Sequence, residues 1–195
     1  MLSGYASLRY LPLQSVSGVK VAHLSAPPPV TLDSPAPLVM TDFLQTPAAT
    51  IEPEALADYA TDYMRRRNVR SLLVVDRGEV TGILTATDVL GEKPVKFALA
   101  SGLKHAEIRV LDLMTPRASL ELLAYDDVCR ARVGHVVATL RQVGRQHFLV
   151  GEHGPEGERV RGIFSLSQVA RQLGIAIEPS GFVQTFAEIE AALAH

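Results

Sequence analysis

Leu72-Leu73-Val74-Val75-Asp76-Arg77-Gly78-Glu79-Val80-Thr81-Gly82-Ile83-Leu84-Thr85-Ala86-Thr87-Asp88 is the stretch on which the fold turns. Leu72 to Val75 is an unbroken apolar run of strand length, as expected of a strand buried on both faces. Asp76-Arg77-Gly78-Glu79 has the composition of a tight turn, and it leads into a second strand, Val80 to Leu84, marked by Gly82. Thr85 with an acid three residues on, Asp88, has the form of a helix N-cap and its partner. A hairpin followed by a helix is therefore predicted here.

Upstream, Leu56, Tyr59, Ala60, Tyr63 and Met64 recur at helical spacing behind Glu52-Pro53-Glu54, whose acids and proline suit a helix start. Arg65-Arg66-Arg67 ends that helix on its negative pole. Downstream, residues 92–109 read as a connector, partly helical from Lys93 to Leu103. The same order then returns. Met40-Thr41 reappears as Met114-Thr115, and a helix from Asp127 to Gln142 carries Cys129, Val133, Val136 and Leu140 on its apolar stripe. Phe148-Leu149-Val150 answers Leu72-Leu73-Val74, and Gly162-Ile163-Phe164-Ser165 answers Gly82-Ile83-Leu84-Thr85 across a longer turn, Gly154-Pro155-Glu156-Gly157. An ordered recurrence of this kind is the signature of an internal repeat.

The repeats are bounded at 39–91 and 110–174. Residues 1–38 read as an extended arm or linker, since Pro27-Pro28-Pro29 and Pro35-Ala36-Pro37 forbid regular helix. Residues 175–195 form an extension in which Thr185 and Glu188 resemble a capping box opening a short helix through Leu193.

Composition narrows the function. Of 195 residues, 47% are hydrophobic and 21% charged, which sets globular folding as the expectation. A net charge of -2 gives no bulk attraction for nucleic acid or an anionic bilayer, and without Trp there are few stacking platforms. No segment approaches a membrane span, and Arg9 interrupts any signal-like run, so a soluble, cytoplasmic protein is expected. Cys129, the single cysteine, is expected as a small buried hydrophobe. The six histidines show no metal-ligand spacing, and neither a P-loop nor a nucleophile elbow occurs. No metal, no required cofactor and no catalysis are expected.

The repeated Met-Thr segment, the strand ending Val74-Val75-Asp76, the glycine-marked second strand and Thr85-x-x-Asp88 resemble the CBS domain family over about residues 39 to 174. The second repeat fits more loosely, with Gly151-Glu152 in place of Val-Asp and Gln168 in place of the acid. The resemblance implies an α/β (α+β) fold of two tandem β-α-β-β-α repeats paired in one pseudo-symmetric module with two clefts. It also implies a regulatory ligand, an adenine nucleotide such as AMP, ADP or ATP or another adenosyl compound, with or without Mg. A homodimer and an effector protein acting in trans follow from the same resemblance.

For the ligand, the resemblance points to Gly82, Thr85, Thr87 and Asp88 around a ribose phosphate, completed by Val69, Arg70 and Ser71 from the start of the same repeat's strand. The adenine is expected against the other repeat, near Tyr125, Arg145 and His147. The residues themselves leave two readings open. Asp88 can accept from both ribose hydroxyls, or Thr85 and Asp88 can be a helix cap and nothing more. Gln168 still suits a cap but offers no carboxylate, so one competent cleft and one degenerate cleft are expected. The alternative function is a structural or protein-interaction module with vestigial clefts.

Overall fold

Both predicted apolar runs become central strands. The computed structural model describes residues 6, 8–15, 17–19, 29–155 and 157–175. The first half contains β1 (Thr41–Asp42), β2 (Thr50–Ile51), α1 (Ala57–Arg67), β3 (Ser71–Asp76), β4 (Glu79–Thr85), α2 (Ala86–Leu90) and α3 (Lys93–Ser101). The second contains α4 (Val110–Leu113), β5 (Thr115–Pro116), β6 (Leu122–Ala124), α5 (Tyr125–Arg130), α6 (Val133–Val143), β7 (His147–Gly154), β8 (Gly157–Ser165) and α7 (Leu166–Gln172).

Two four-stranded sheets result, in the orders β2-β3-β4-β5 and β1-β8-β7-β6. Each central hairpin is antiparallel and carries one parallel neighbour, β2 on β3 and β6 on β7. The Asp76–Glu79 hairpin turns through Arg77 at φ 49° and Gly78 at φ 86°, the paired positive φ values of a turn that matches strand twist. The outer strands are exchanged. β5, from the start of the second repeat, pairs with β4, and β1, from the start of the first, pairs with β8.

The exchange is fixed by matching backbone bonds. Ala57 N–H donates to the Ile108 carbonyl at 2.9 Å and Val110 N–H to the Ala55 carbonyl at 2.8 Å. In the other half Ala36 N–H donates to Ala131 at 3.0 Å and Val133 N–H to Ser34 at 2.9 Å. The apolar side chains follow. Ile108, Val110 and Leu113 are buried with Leu72, Val74 and Leu84, whereas Ala36, Val39 and Met40 are buried with Phe148, Val150 and Phe164. Residues 34–38, read from the prolines as arm, thus carry the lead-in to a core. Leu73, Ile83, Leu149 and Ile163, on the other faces of the two hairpins, pack together between the sheets. Alternation along each strand serves both interfaces, which is why the runs lack polar residues.

The same pairing reshapes two predicted helices. Leu56 is held extended (φ −71°, ψ 144°) beside Arg109, so α1 starts at Ala57 rather than behind Pro53. Its buried face is Ala57, Ala60 and Met64, and Leu56 and Tyr59 are 47% and 51% exposed. Ala131 and Arg132, extended against residues 34–36, split the predicted 127–142 helix into α5 and α6. That break takes Cys129 off the stripe, and the thiol is exposed. The predicted helix at 185–193 lies outside the described residues. Among the described residues no helix is long and apolar enough to cross a membrane.

Candidate functional site

Packing the two sheets together sets the start of each repeat's last helix beside the residues that lead into the other repeat's central hairpin. One cleft, about 210 Å³, is lined by Thr85, Thr87 and Asp88 from the β4–α2 junction, with Glu121, Arg145 and His147 opposite. The other, about 160 Å³, takes Val69, Arg70 and Ser71 from the approach to β3. Facing these are Ser165, Ser167, Gln168 and Arg171 from the β8–α7 junction, with Thr41 at one side. His147 lines both.

The predicted residues are therefore divided. Thr85, Thr87, Asp88, Arg145 and His147 come together as expected. Val69, Arg70 and Ser71 do not join them; they face the second cleft, because the approach to a hairpin and the helix that follows it look toward opposite halves of the partner repeat. Gly82 is buried within β4, where an added Cβ would lie 2.6 Å from the Thr115 carbonyl oxygen and 2.8 Å from the Met114 sulfur. Its bareness permits the close approach of β5. Tyr125 lines neither cleft. Its ring lies under the Arg161 guanidinium at 4.4 Å.

In the first cleft the Asp88 carboxylate is 16% exposed. Its Oδ2 accepts from the Thr85 N–H at 2.9 Å and the Thr85 hydroxyl at 2.6 Å, and its Oδ1 accepts from the Lys93 ammonium at 3.0 Å. With the Asp88 N–H returning to Thr85 Oγ1 at 3.3 Å, the capping box is complete. A carboxylate offers about four acceptor sites, so one remains for a ligand donor. Arg145 donates to the Ser119 carbonyl at 2.7 Å and lies 3.8 Å from Glu121. Burial depresses His147 to about 4, with Asp88 pulling upward and Arg70 downward, so the imidazole is neutral near pH 7 and keeps one donor and one acceptor.

In the second cleft the Thr41 hydroxyl donates to the Gln168 side-chain oxygen at 3.1 Å, and the Ser165 and Ser167 hydroxyls are 3.0 Å apart. Gln168 presents its amide hydrogens where Asp88 presents oxygen.

Sequence reasoning missed a buried ion cluster. Arg161, 13% exposed, donates from Nε and Nη2 to the two Asp42 oxygens, both at 2.8 Å, and from Nη1 to Glu152 at 2.9 Å. The bidentate bond to Arg161 holds Asp42 down to about 2, and Asp42 in turn raises Arg161. Glu152 is lowered chiefly by Arg159. Tyr125 is raised, first by its hydrogen bond with Cys129 and then by burial. Only the strand exchange brings Asp42 to Arg161, so local pattern carries no sign of the cluster. A larger concavity of about 630 Å³ lies away from both clefts, against Tyr59 and Tyr63. Glu52, Glu54 and Asp76 line it with Arg77, a wall in which carboxylates outnumber cations.

An α/β module of two tandem repeats, exchanging their leading strands and facing each other across two clefts, is the class that this architecture defines. Residues 39–94 match the CBS domain family. An uncharacterized conserved protein from Pyrococcus horikoshii has a similar structure, with a TM-score of 0.54 and 23% identity over 77% of this chain and 100% of that one. CBSX2, solved in complex with AMP, superposes with a TM-score of 0.50 at 18% identity, covering 71% of this chain and 94% of its own. A conserved CBS domain protein of Thermoplasma acidophilum does so at 0.50 and 17%, covering 77% of each chain. No curated protein sequence matches. The described chain thus has the fold of a CBS-domain pair.

Proposed function

We propose that this chain is a regulatory, non-catalytic module of the cytoplasm whose first cleft takes an adenine nucleotide or a related adenosyl compound. The observation that carries the reading is the Asp88 carboxylate, little exposed and with acceptor capacity left, set opposite Arg145 and His147 of the other repeat. A ribose diol suits the carboxylate, a phosphate suits Arg145 once it leaves the Ser119 carbonyl, and the neutral His147 can serve a base edge. AMP in the CBSX2 structure supports this ligand class for the fold. A ligand held by both repeats shifts their relative arrangement only if it binds one arrangement better than another. The apolar α2–α3 surface, where Leu90, Val95 and Leu99 are 63%, 57% and 81% exposed, supports self-association or docking on an effector supplied in trans.

The test is a thermal-shift panel of AMP, ADP, ATP, S-adenosylmethionine and GMP, with and without magnesium. Ligand at a hundred times its dissociation constant stabilises the fold by about 2.7 kcal/mol. Asp88→Ala is expected to weaken the adenine compound by about 1.5 to 3 kcal/mol, a loss of tenfold or more, in addition to a capping loss of about 1 kcal/mol in fold stability. Unchanged affinity in that variant would show the assignment of Asp88 to be wrong. The second reading, a protein-interaction module with vestigial clefts, is favoured by the complete capping box and by Gln168; a flat panel on folded protein would select it.

A further inference from the structure

The N-terminal arm and the concavity beside α1 take no part in either cleft. In the arm Leu8, Tyr10, Leu11 and Leu13 are 69% to 89% exposed, and Arg9 stands among them with no ion-pair partner among the described residues. The bonds of this segment are local: Ser15 donates to the Pro12 carbonyl from its N–H at 2.9 Å and from its hydroxyl at 2.6 Å. Four large apolar side chains within six residues, all facing water, form the kind of surface that a partner covers. The concavity, about 630 Å³, has the complementary make-up. Along one side Tyr59 and Tyr63 stack with ring centroids 6.1 Å apart, and Arg66 and Arg67 lie over them at 5.7 and 5.9 Å, so these rings already receive guanidinium groups. Of its three carboxylates Glu54 is engaged by Arg109, whereas Glu52 and Asp76, both exposed, have no cation among the described residues.

Charge decides between this concavity and the apolar α2–α3 surface as the seat for the arm. On α2–α3 the carboxylates of Asp88 and Glu92 are already held by Lys93 and Lys96, which leaves nothing for Arg9. The concavity offers two free carboxylates beside an aromatic pair. Within one chain the arm does not use it, since the apolar side chains of residues 8–13 are exposed. We infer that residues 8–13 of one copy seat in the concavity of a second copy, with Arg9 toward Glu52 and Asp76 and the apolar side chains against Tyr59 and Tyr63. Pro12 restricts the free arm, which lowers the entropy lost when it is ordered. The inference goes beyond the ligand reading and does not rest on it.

The experiment pairs two measurements on the whole chain: fluorescence anisotropy of a labelled synthetic peptide of residues 6–15, and sedimentation equilibrium without peptide. The peptide is expected to bind one site per chain. The double variant Glu52→Lys/Asp76→Lys, at exposed positions, should weaken it by about tenfold or more, as should Arg9→Glu in the peptide, and the two together should restore most of the affinity. Leu99→Asp, on the α2–α3 surface, should leave peptide binding unchanged. In sedimentation, Arg9→Glu in the chain should weaken self-association by about tenfold, and adding Glu52→Lys/Asp76→Lys should recover it. Absence of peptide binding by folded protein, indifference to the charge reversals, or loss of binding in Leu99→Asp would each overturn the inference. Peptide binding with no effect of Arg9→Glu on self-association would overturn the exchange between copies, because the arm would then serve its own concavity.

Discussion

Equivalent register positions in the two sheets hold different chemistry. In the sheet built on β7 and β8, Asp42 of the exchanged strand stands opposite Gly162 and is clamped by Arg161 and Glu152. In the sheet built on β3 and β4, Pro116 stands opposite Gly82, and Thr81 and Asp76 occupy the places of Arg161 and Glu152. Thr81 spends its hydroxyl on the Val74 carbonyl of its own hairpin at 3.2 Å. One exchanged strand is thus tied by a little-exposed charge cluster as well as by backbone, the other by backbone and apolar contact with only exposed ion pairs, Arg109–Glu54 and Arg117–Glu79, on either side of it. Two repeats descended from one pattern need not be held together in the same way.

That comparison breaks most sharply at Arg161. Arg161→Ala leaves the Asp42 carboxylate without its bidentate partner, while Glu152 keeps Arg159, and should cost about 3 kcal/mol in urea unfolding, whereas Thr81→Ala at the equivalent place should cost about 1 kcal/mol. Equal losses would mean that the clamp contributes nothing beyond an ordinary hydrogen bond. The shared part of the design is tested at the glycines. An added Cβ at Gly82 or Gly162 would lie 2.6 Å from the Thr115 or Thr41 carbonyl oxygen. Gly82→Ala and Gly162→Ala should therefore each lower stability, by about 1 to 3 kcal/mol, and by similar amounts. A large gap between them would show that the clamp changes how well its strand can yield.

Titration separates the contributions of single groups. Asp42, depressed to about 2 from an ordinary 3.8, contributes stability that is full above pH 4 and is lost as pH falls toward 2. His147, depressed to about 4 from 6.5, contributes stability that is full above pH 6.5 and is lost as pH falls through 4. Urea midpoints measured from pH 7 to pH 2.5 should show both windows. His147→Asn should flatten the upper one and Asp42→Asn the lower one, the second at the expense of the clamp itself.

Much of the fold was legible because each repeat advertises itself locally. Leu72 to Leu84 and its echo at Phe148 to Phe164 are apolar runs with turn residues at fixed places, and both became central hairpins. What local pattern could not carry was the exchange. The residues that bury Ala36 and Val110 lie in the other half of the sequence, so Pro35-Ala36-Pro37 reads as linker, the start of α1 reads too early, and the break between α5 and α6 is hidden. The same blindness divided the site. Thr85, Asp88, Arg145 and His147 could be paired across the repeats by analogy, but assigning Arg70 to the opposite cleft requires the packing of whole halves. Tyr125 lies outside the first cleft because its ring packs under Arg161, a contact within the second half between residues 36 positions apart that no local pattern announces.

The exchange also sets an order of events during synthesis. Asp42 and Arg161 are 119 residues apart, so β1 has no sheet to join until β8 has followed it from the ribosome. Closing so long a loop is slow, and until it closes Val39 and Met40 stay uncovered. The N-terminal hairpin likewise lacks its fourth strand until Thr115 emerges. Until both exchanges are made, a nascent chain carries unfinished sheet edges and uncovered apolar side chains, the surfaces through which incomplete chains associate.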